Sequence, residues 1–139
     1  MWTKSFSIVT NKVTGEQMWK LFADVNSWYM WDAGIEYAQM EGRFEAGNHF
    51  YLKPKGGPKV KIKLVEAVPG RKFTDFTKFP LGKMYGEHTF EPVPEGLKIT
   101  TKMTVSGLLG FLWRKLVAQQ IVDGLPVEME EQIKAAAKL

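Results

Sequence analysis

Only two side chains in this sequence, His49 and His88, are imidazoles, the residue type most often used for proton transfer. His88 sits in the run MYGEHTF, where Met84, Gly86, His88 and Phe90 alternate with Tyr85, Glu87 and Thr89. A strand there places His88 on the face of Phe90, toward the interior. A lone imidazole on an apolar face is most often a hydrogen-bonded interior group, able when neutral to donate one bond and accept one. General-base work needs a reacting hydrogen within reach and usually an orienting partner. The alternation supplies no partner, since Tyr85 and Glu87 point the other way. His49 alternates against Phe50 and Leu52 and is expected on the outer face.

Asp75 is the second candidate. In KFTDFTKF the apolar residues Phe73, Phe76 and Phe79 fit neither strand phase, which suggests a bulge. With Phe73 inward, Asp75 enters the interior; with Phe76 inward, Asp75 is solvated, and the second phase is the expected one. Thr101, Gln119 and Gln120 are further polar candidates, each readable as a spacer or a hydrogen-bond satisfier. No Ser–His–Asp set, phosphate-cradling glycine loop or metal-ligand spacing can be assembled. The absence of cysteine removes thiolate nucleophiles, disulfides and iron–sulfur ligation, and two histidines are too few for a three-histidine metal centre. No cofactor and no metal are expected.

The elements that would position these residues can be read in order. Trp2 to Val9 alternates as a half-buried strand. Thr14 and Gln17 form a capping box, Val13 and Met18 a possible staple, and Met18, Leu21, Phe22 and Val25 repeat at helical spacing, so a helix is expected over Gly15 to Ala23. DVNSWYMWDAG then reads as a short helix or compact loop whose Trp28, Tyr29 and Trp31 either plug the core or line a pocket. From Ile35 to Val105 strands follow one another between turns at Gly56–Pro58, Pro69–Gly70 and Pro94–Gly96. Val60, Ile62 and Leu64 share one face, against Lys59, Lys61 and Lys63. After Gly107 the period becomes helical through Leu109, Leu112, Trp113, Leu116, Val117, Gln120 and Ile121, with a bend expected near Gly124 to Pro126.

At 139 residues the chain suits one domain, 1–139. Its net charge of +4 is too small to indicate nucleic acid. The lysines of residues 53–72 read as a solvated sheet face, because no stacking aromatics alternate with them along the strand. The apolar run GLLGFLW is far short of a membrane span, and no secretory leader is visible, so a cytoplasmic protein with no integral membrane association is expected.

The order strand, helix, helical plug, about six strands and long helix resembles the START-like superfamily, the polyketide cyclase/dehydrase and lipid-transport group. The residues that carry the resemblance are Trp19, Asp24, Trp28 and Trp31 in MWKLFADVNSWYMWDAGIEYAQMEG, Gly42 and Gly47 in GRFEAGNHFYL, His88, Phe90, Gly96 and Gly107 around HTFEPVPEGLKITTKMTVSG, and the Leu125–Pro126 pair. The resemblance implies an α+β helix-grip fold. In it a curved antiparallel sheet of about seven strands wraps a long kinked C-terminal helix, with two short helices after the first strand and a cavity between sheet and helix. It does not imply one chemistry.

The expected function is binding of a small, largely apolar molecule, lipid- or polyketide-like, by a monomer or homodimer. His88, Trp28, Trp31, Ile62, Leu64, Met84, Phe90, Thr101, Met103, Leu116 and Gln120 are the expected lining. Two rivals stand beside it: a cyclase/dehydratase-type enzyme moving protons through His88 or Asp75, and a regulatory module acting through GLLGFLWRKL. Paired inward acid and base groups would favour the enzyme, and an exposed patch at Leu109, Phe111 and Trp113 the interaction module.

Overall fold

A computed structural model describes residues 1–139. Seven strands form one antiparallel sheet in the order β1-β7-β6-β5-β4-β3-β2. They are β1 Trp2–Thr10, β2 Ile35–Gln39, β3 His49–Pro54, β4 Val60–Val68, β5 Lys72–Phe79, β6 Gly82–Val93 and β7 Gly96–Ser106. The first helix spans Gly15–Ala23, and its capping box is present: the Thr14 side chain accepts from the Gln17 amide, while the Thr14 amide donates to the Gln17 side chain. The aromatic stretch is a 3-10 helix, Val25–Met30.

The last helix is α-helical over Gly110–Trp113, π-helical over Arg114–Ala118 and α-helical over Gln119–Ala136. The α-helix continues through Pro126, which supplies no N–H to the carbonyl one turn earlier, and a π turn occupies Arg114–Ala118. A π turn holds more residues than an α turn and so rotates everything beyond it about the helix axis. Ala118, at its end, is buried, and the buried residues after it are Leu125, Met129, Gln132, Ile133 and Ala136. Leu116 and Gln120, expected to face the sheet, point to solvent, Leu116 with 54% of its surface exposed, as does Leu112 ahead of the π turn.

Asp75 also departs from expectation. The irregularity lies not in β5 but opposite it, between Leu64 and Glu66 of β4, while β5 runs in unbroken register against β6. Phe73, Asp75 and Thr77 thus share the inward face. Phe76 stays outside because it has an aromatic partner there, Tyr85 at 5.0 Å between ring centres.

Buried side chains form two clusters. The larger joins the first helix, the 3-10 helix and the last helix to Phe50, Leu64, Phe73, Phe90 and Ile99. The smaller holds Met84, Met103, Val105 and Ala118, with Trp2, Phe79 and Trp113 packed against it. Along β6 the inward residues run Met84, Gly86, His88, Phe90, and along β7 they run Val105, Met103, Thr101, Ile99. On the sheet, polar side chains therefore separate the two apolar clusters, while Val122 of the last helix packs against both.

Candidate functional site

That polar band is the candidate site. Register places His88 between Phe73 on β5 and Thr101 on β7, and places Asp75 beside Gly86 and Met103 in the next inward row. The Phe73 ring stacks on the imidazole at 4.3 Å and 14°, fixing its plane. His88 Nε2 lies 3.0 Å from Asp75 Oδ2, and His88 Nδ1 lies 3.4 Å from Thr101 Oγ1. A carboxylate accepts only, so the Nε2 side carries the proton of that bond, leaving Nδ1 to accept from the Thr101 hydroxyl. The Thr101 contact is long, which leaves Nδ1 loosely engaged. The partner that alternation along β6 could not supply for His88 comes from the neighbouring strand.

The last helix adds two polar groups opposite the sheet, Glu128 and the buried Gln132. Burial first, and the nearby Asp32 carboxylate second, push Glu128 up from 4.5 to about 7, while His88 and Gln132 pull it down. Glu128 is thus a carboxyl that exchanges its proton around neutral pH. The indole Nε1 of Trp31 is buried and has no hydrogen-bond partner. Phe22 links these parts, with ring centres 5.8 Å from both Trp31 and His88.

The other expected lining residues divide clearly. Trp28 is buried and donates its indole N–H to the Phe22 carbonyl at 3.0 Å, so it is the core plug. Leu64 and Phe90 are closed inside the larger cluster, and Ile62 packs on its edge. Met84 and Met103 belong to the smaller cluster, next to the polar band. Asp32, Glu128 and Gln132 were not legible as site residues, because each looks like ordinary helix or turn surface until the helix phase is known. Gly86 was a usable signal, since a glycine inside a strand marks close approach by another group. No three His, Asp or Glu side chains are grouped so as to hold a metal ion.

Outside the sheet, His49 lies on the outer face, with its ring 5.4 Å from that of Tyr51. Lys59, Lys61 and Lys63 are exposed. Lys53 and Lys72 pair with Glu36 and Glu66 at 2.7 and 2.6 Å. Aromatic residues do neighbour these lysines, but across strands: Tyr51 opposes Lys61, and Phe76 opposes Lys63.

The fold recurs widely among solved structures. A hypothetical protein from Helicobacter pylori matches with a TM-score of 0.76 and 11% identity, over 97% of this chain and 88% of its own. A START superfamily protein from Mycobacterium smegmatis matches with a TM-score of 0.71 and 14% identity, over 95% and 97%. The di-domain aromatase/cyclase StfQ of the steffimycin biosynthetic pathway matches with a TM-score of 0.71 and 15% identity, over 98% of this chain and 50% of its own. No curated protein matches the chain by sequence. The family described as polyketide cyclase / dehydrase and lipid transport matches residues 1–137, and the chain belongs to it.

Proposed function

We propose that this protein binds a small, largely apolar molecule, lipid- or polyketide-like, that carries a hydrogen-bonding group and sits between the sheet and the last helix. One observation carries the reading. His88 and Asp75 face inward, yet 17% and 19% of their side chains remain accessible, whereas Phe73 in the same rows is 1% exposed. Solvent therefore reaches the polar band. Trp31 Nε1–H is a buried donor with no partner, a state that costs about 1–3 kcal/mol. Glu128 is a second donor when protonated. A ligand oxygen such as a carbonyl suits either donor. Burying roughly 300 Å² of apolar surface gives about 7 kcal/mol gross, much of which association takes back. The polar groups then decide affinity and selectivity.

Native mass spectrometry of freshly purified protein tests this, followed by titration of delipidated protein with an environment-sensitive apolar dye. The expected result is a co-purified small molecule, or saturable dye binding of defined stoichiometry that such a molecule displaces. No co-purified species, together with only unsaturable dye signal, defeats the reading.

A second reading rests on the 3.0 Å contact between His88 and Asp75. An imidazole oriented by a carboxylate is a base, and Glu128 across the gap is a proton donor near neutral pH. In proton transfer of the cyclase or dehydratase type, His88 Nδ1 would take a proton from the substrate carbon. Glu128 would return one to the departing hydroxyl, which leaves as water.

A further inference from the structure

The end of the molecule built by the β5–β6 hairpin and the start of the last helix exposes an apolar surface. Leu108, in the turn before the helix, is 81% exposed, and Phe111, Leu112 and Leu116 on the helix are 62%, 37% and 54% exposed. Leu81, at the tip of the hairpin, is 62% exposed and is the one non-glycine residue with positive φ, at 54°. Its carbonyl accepts from the Leu109 amide at 2.9 Å, so the hairpin tip and the helix start are fixed side by side. A leucine held in the left-handed region and pushed into water incurs two costs at one position, and such costs concentrate at functional surfaces.

The charges around this surface have one sign. Residues 76–86 and 103–122 contain Lys78, Lys83, Arg114 and Lys115 and no Asp or Glu. None of these four cations is in an ion pair. Trp113 stacks on Phe79 at 4.7 Å and donates its indole N–H to the Pro80 carbonyl at 2.8 Å, which braces the helix start against the hairpin. Protruding leucines and a phenylalanine rimmed by unpaired cations match an interface with apolar depth and anionic headgroups.

We propose that this end of the protein docks on the surface of an anionic lipid bilayer. Leu81, Leu108, Phe111, Leu112 and Leu116 enter the headgroup boundary, and Arg114, Lys115, Lys78 and Lys83 meet lipid phosphates. The docking is peripheral, since no helix is long and apolar enough to cross a membrane. It does not depend on what the interior binds.

The test is co-sedimentation of the full chain with phosphatidylcholine vesicles, with and without one-quarter phosphatidylglycerol. Binding is expected only with the anionic lipid and should weaken in high salt. The pair Leu108→Ser with Phe111→Ser should weaken it about tenfold or more, as should Arg114→Glu with Lys115→Glu. Val127→Ser is the control, removing an apolar residue that is 71% exposed elsewhere on the same helix, and should leave binding unchanged. These positions are at the surface, and circular dichroism establishes that each variant is folded. Equal behaviour with both vesicle types, or no loss in the folded variants, overturns the proposal. So does a dimer in sedimentation velocity that the serine pair abolishes in a protein indifferent to vesicles, which would make a second copy the cover. Dye binding in the interior should survive the serine pair, which keeps this result separate from the ligand question.

Discussion

A Cβ built on Gly86 would lie 2.7 Å from Asp75 Oδ1, so the Asp75 carboxylate occupies the space that its cross-strand neighbour leaves empty. That vacancy lets the carboxylate lie across β6 and meet His88 Nε2. Gly86 is therefore part of the site without offering a functional group.

Gly86→Ala should uncouple the pair. By strand propensity alone, alanine in place of glycine stabilises by a few tenths to about 1 kcal/mol. Displacing the carboxylate from a charge-assisted bond costs more, about 1.5–3 kcal/mol. A net loss in denaturant unfolding is expected, together with a change in the His88 ring ¹⁵N shifts like that produced by Asp75→Asn. Unchanged ring shifts in a more stable protein would show that the carboxylate has another place to sit.

The sequence made the container legible because its signals are local. The Thr14–Gln17 capping box, the alternation around Leu64 and His88, and the turn glycines each depend on neighbours a few residues apart. The site is not local. Asp75 reaches His88 because the unbroken pairing of β5 with β6 sets it beside Gly86 on the inward face, and Phe76 finds Tyr85 outside. Glu128 joins the site only because the π turn at Arg114–Ala118 fixes which side of the helix faces the sheet. Leu116 and Gln120 were misplaced because the stripe Leu109, Leu112 and Leu116 reads as the buried face, whereas Leu112 and Leu116 are exposed and burial runs through Gly110 and Ala118.

Glu128 should leave a signature in the pH dependence of stability. Its folded value, about 7, lies above its ordinary value of 4.5. Between these values the folded state holds a proton that the unfolded state has released, so this group's contribution falls as pH rises through the window and is constant above it. The full difference corresponds to about 3 kcal/mol at most. Glu128→Gln, neutral throughout, should match the native protein near pH 4.5 and exceed it in stability above about pH 7. Parallel stability profiles for the two proteins across that window would mean that Glu128 ionises as an ordinary surface carboxyl.

Pro126 offers a test of the helix itself. It lies in an unbroken helical segment, is exposed, and leaves the carbonyl one turn earlier without its amide partner. Pro126→Ala restores that bond and should stabilise the protein by about 1–3 kcal/mol. Dye binding in the interior should be little changed, because the proline side chain points to solvent. A loss of stability instead would mean that the sheet requires the backbone shape that the proline imposes.

His88→Gln separates binding from catalysis. Glutamine keeps a donor and an acceptor at similar reach but cannot act as a base near neutral pH. If His88 holds a ligand in place, the change removes about one net hydrogen bond, about 1 kcal/mol or a five-fold loss of affinity for the co-purified molecule. If His88 is a base oriented by Asp75, turnover of a substrate should fall ~10²–10⁴-fold with affinity nearly intact. Asp75→Asn sharpens the distinction. It can still hold the ring by a hydrogen bond while removing the charge that stabilises an imidazolium, so it should spare affinity and cut turnover. Both variants are measured on one molecule, by titration and by product formation. The binding reading predicts a modest loss of affinity from His88→Gln, little change from Asp75→Asn, and no product from either protein. Product from the native protein that both variants abolish would assign the polar band to catalysis.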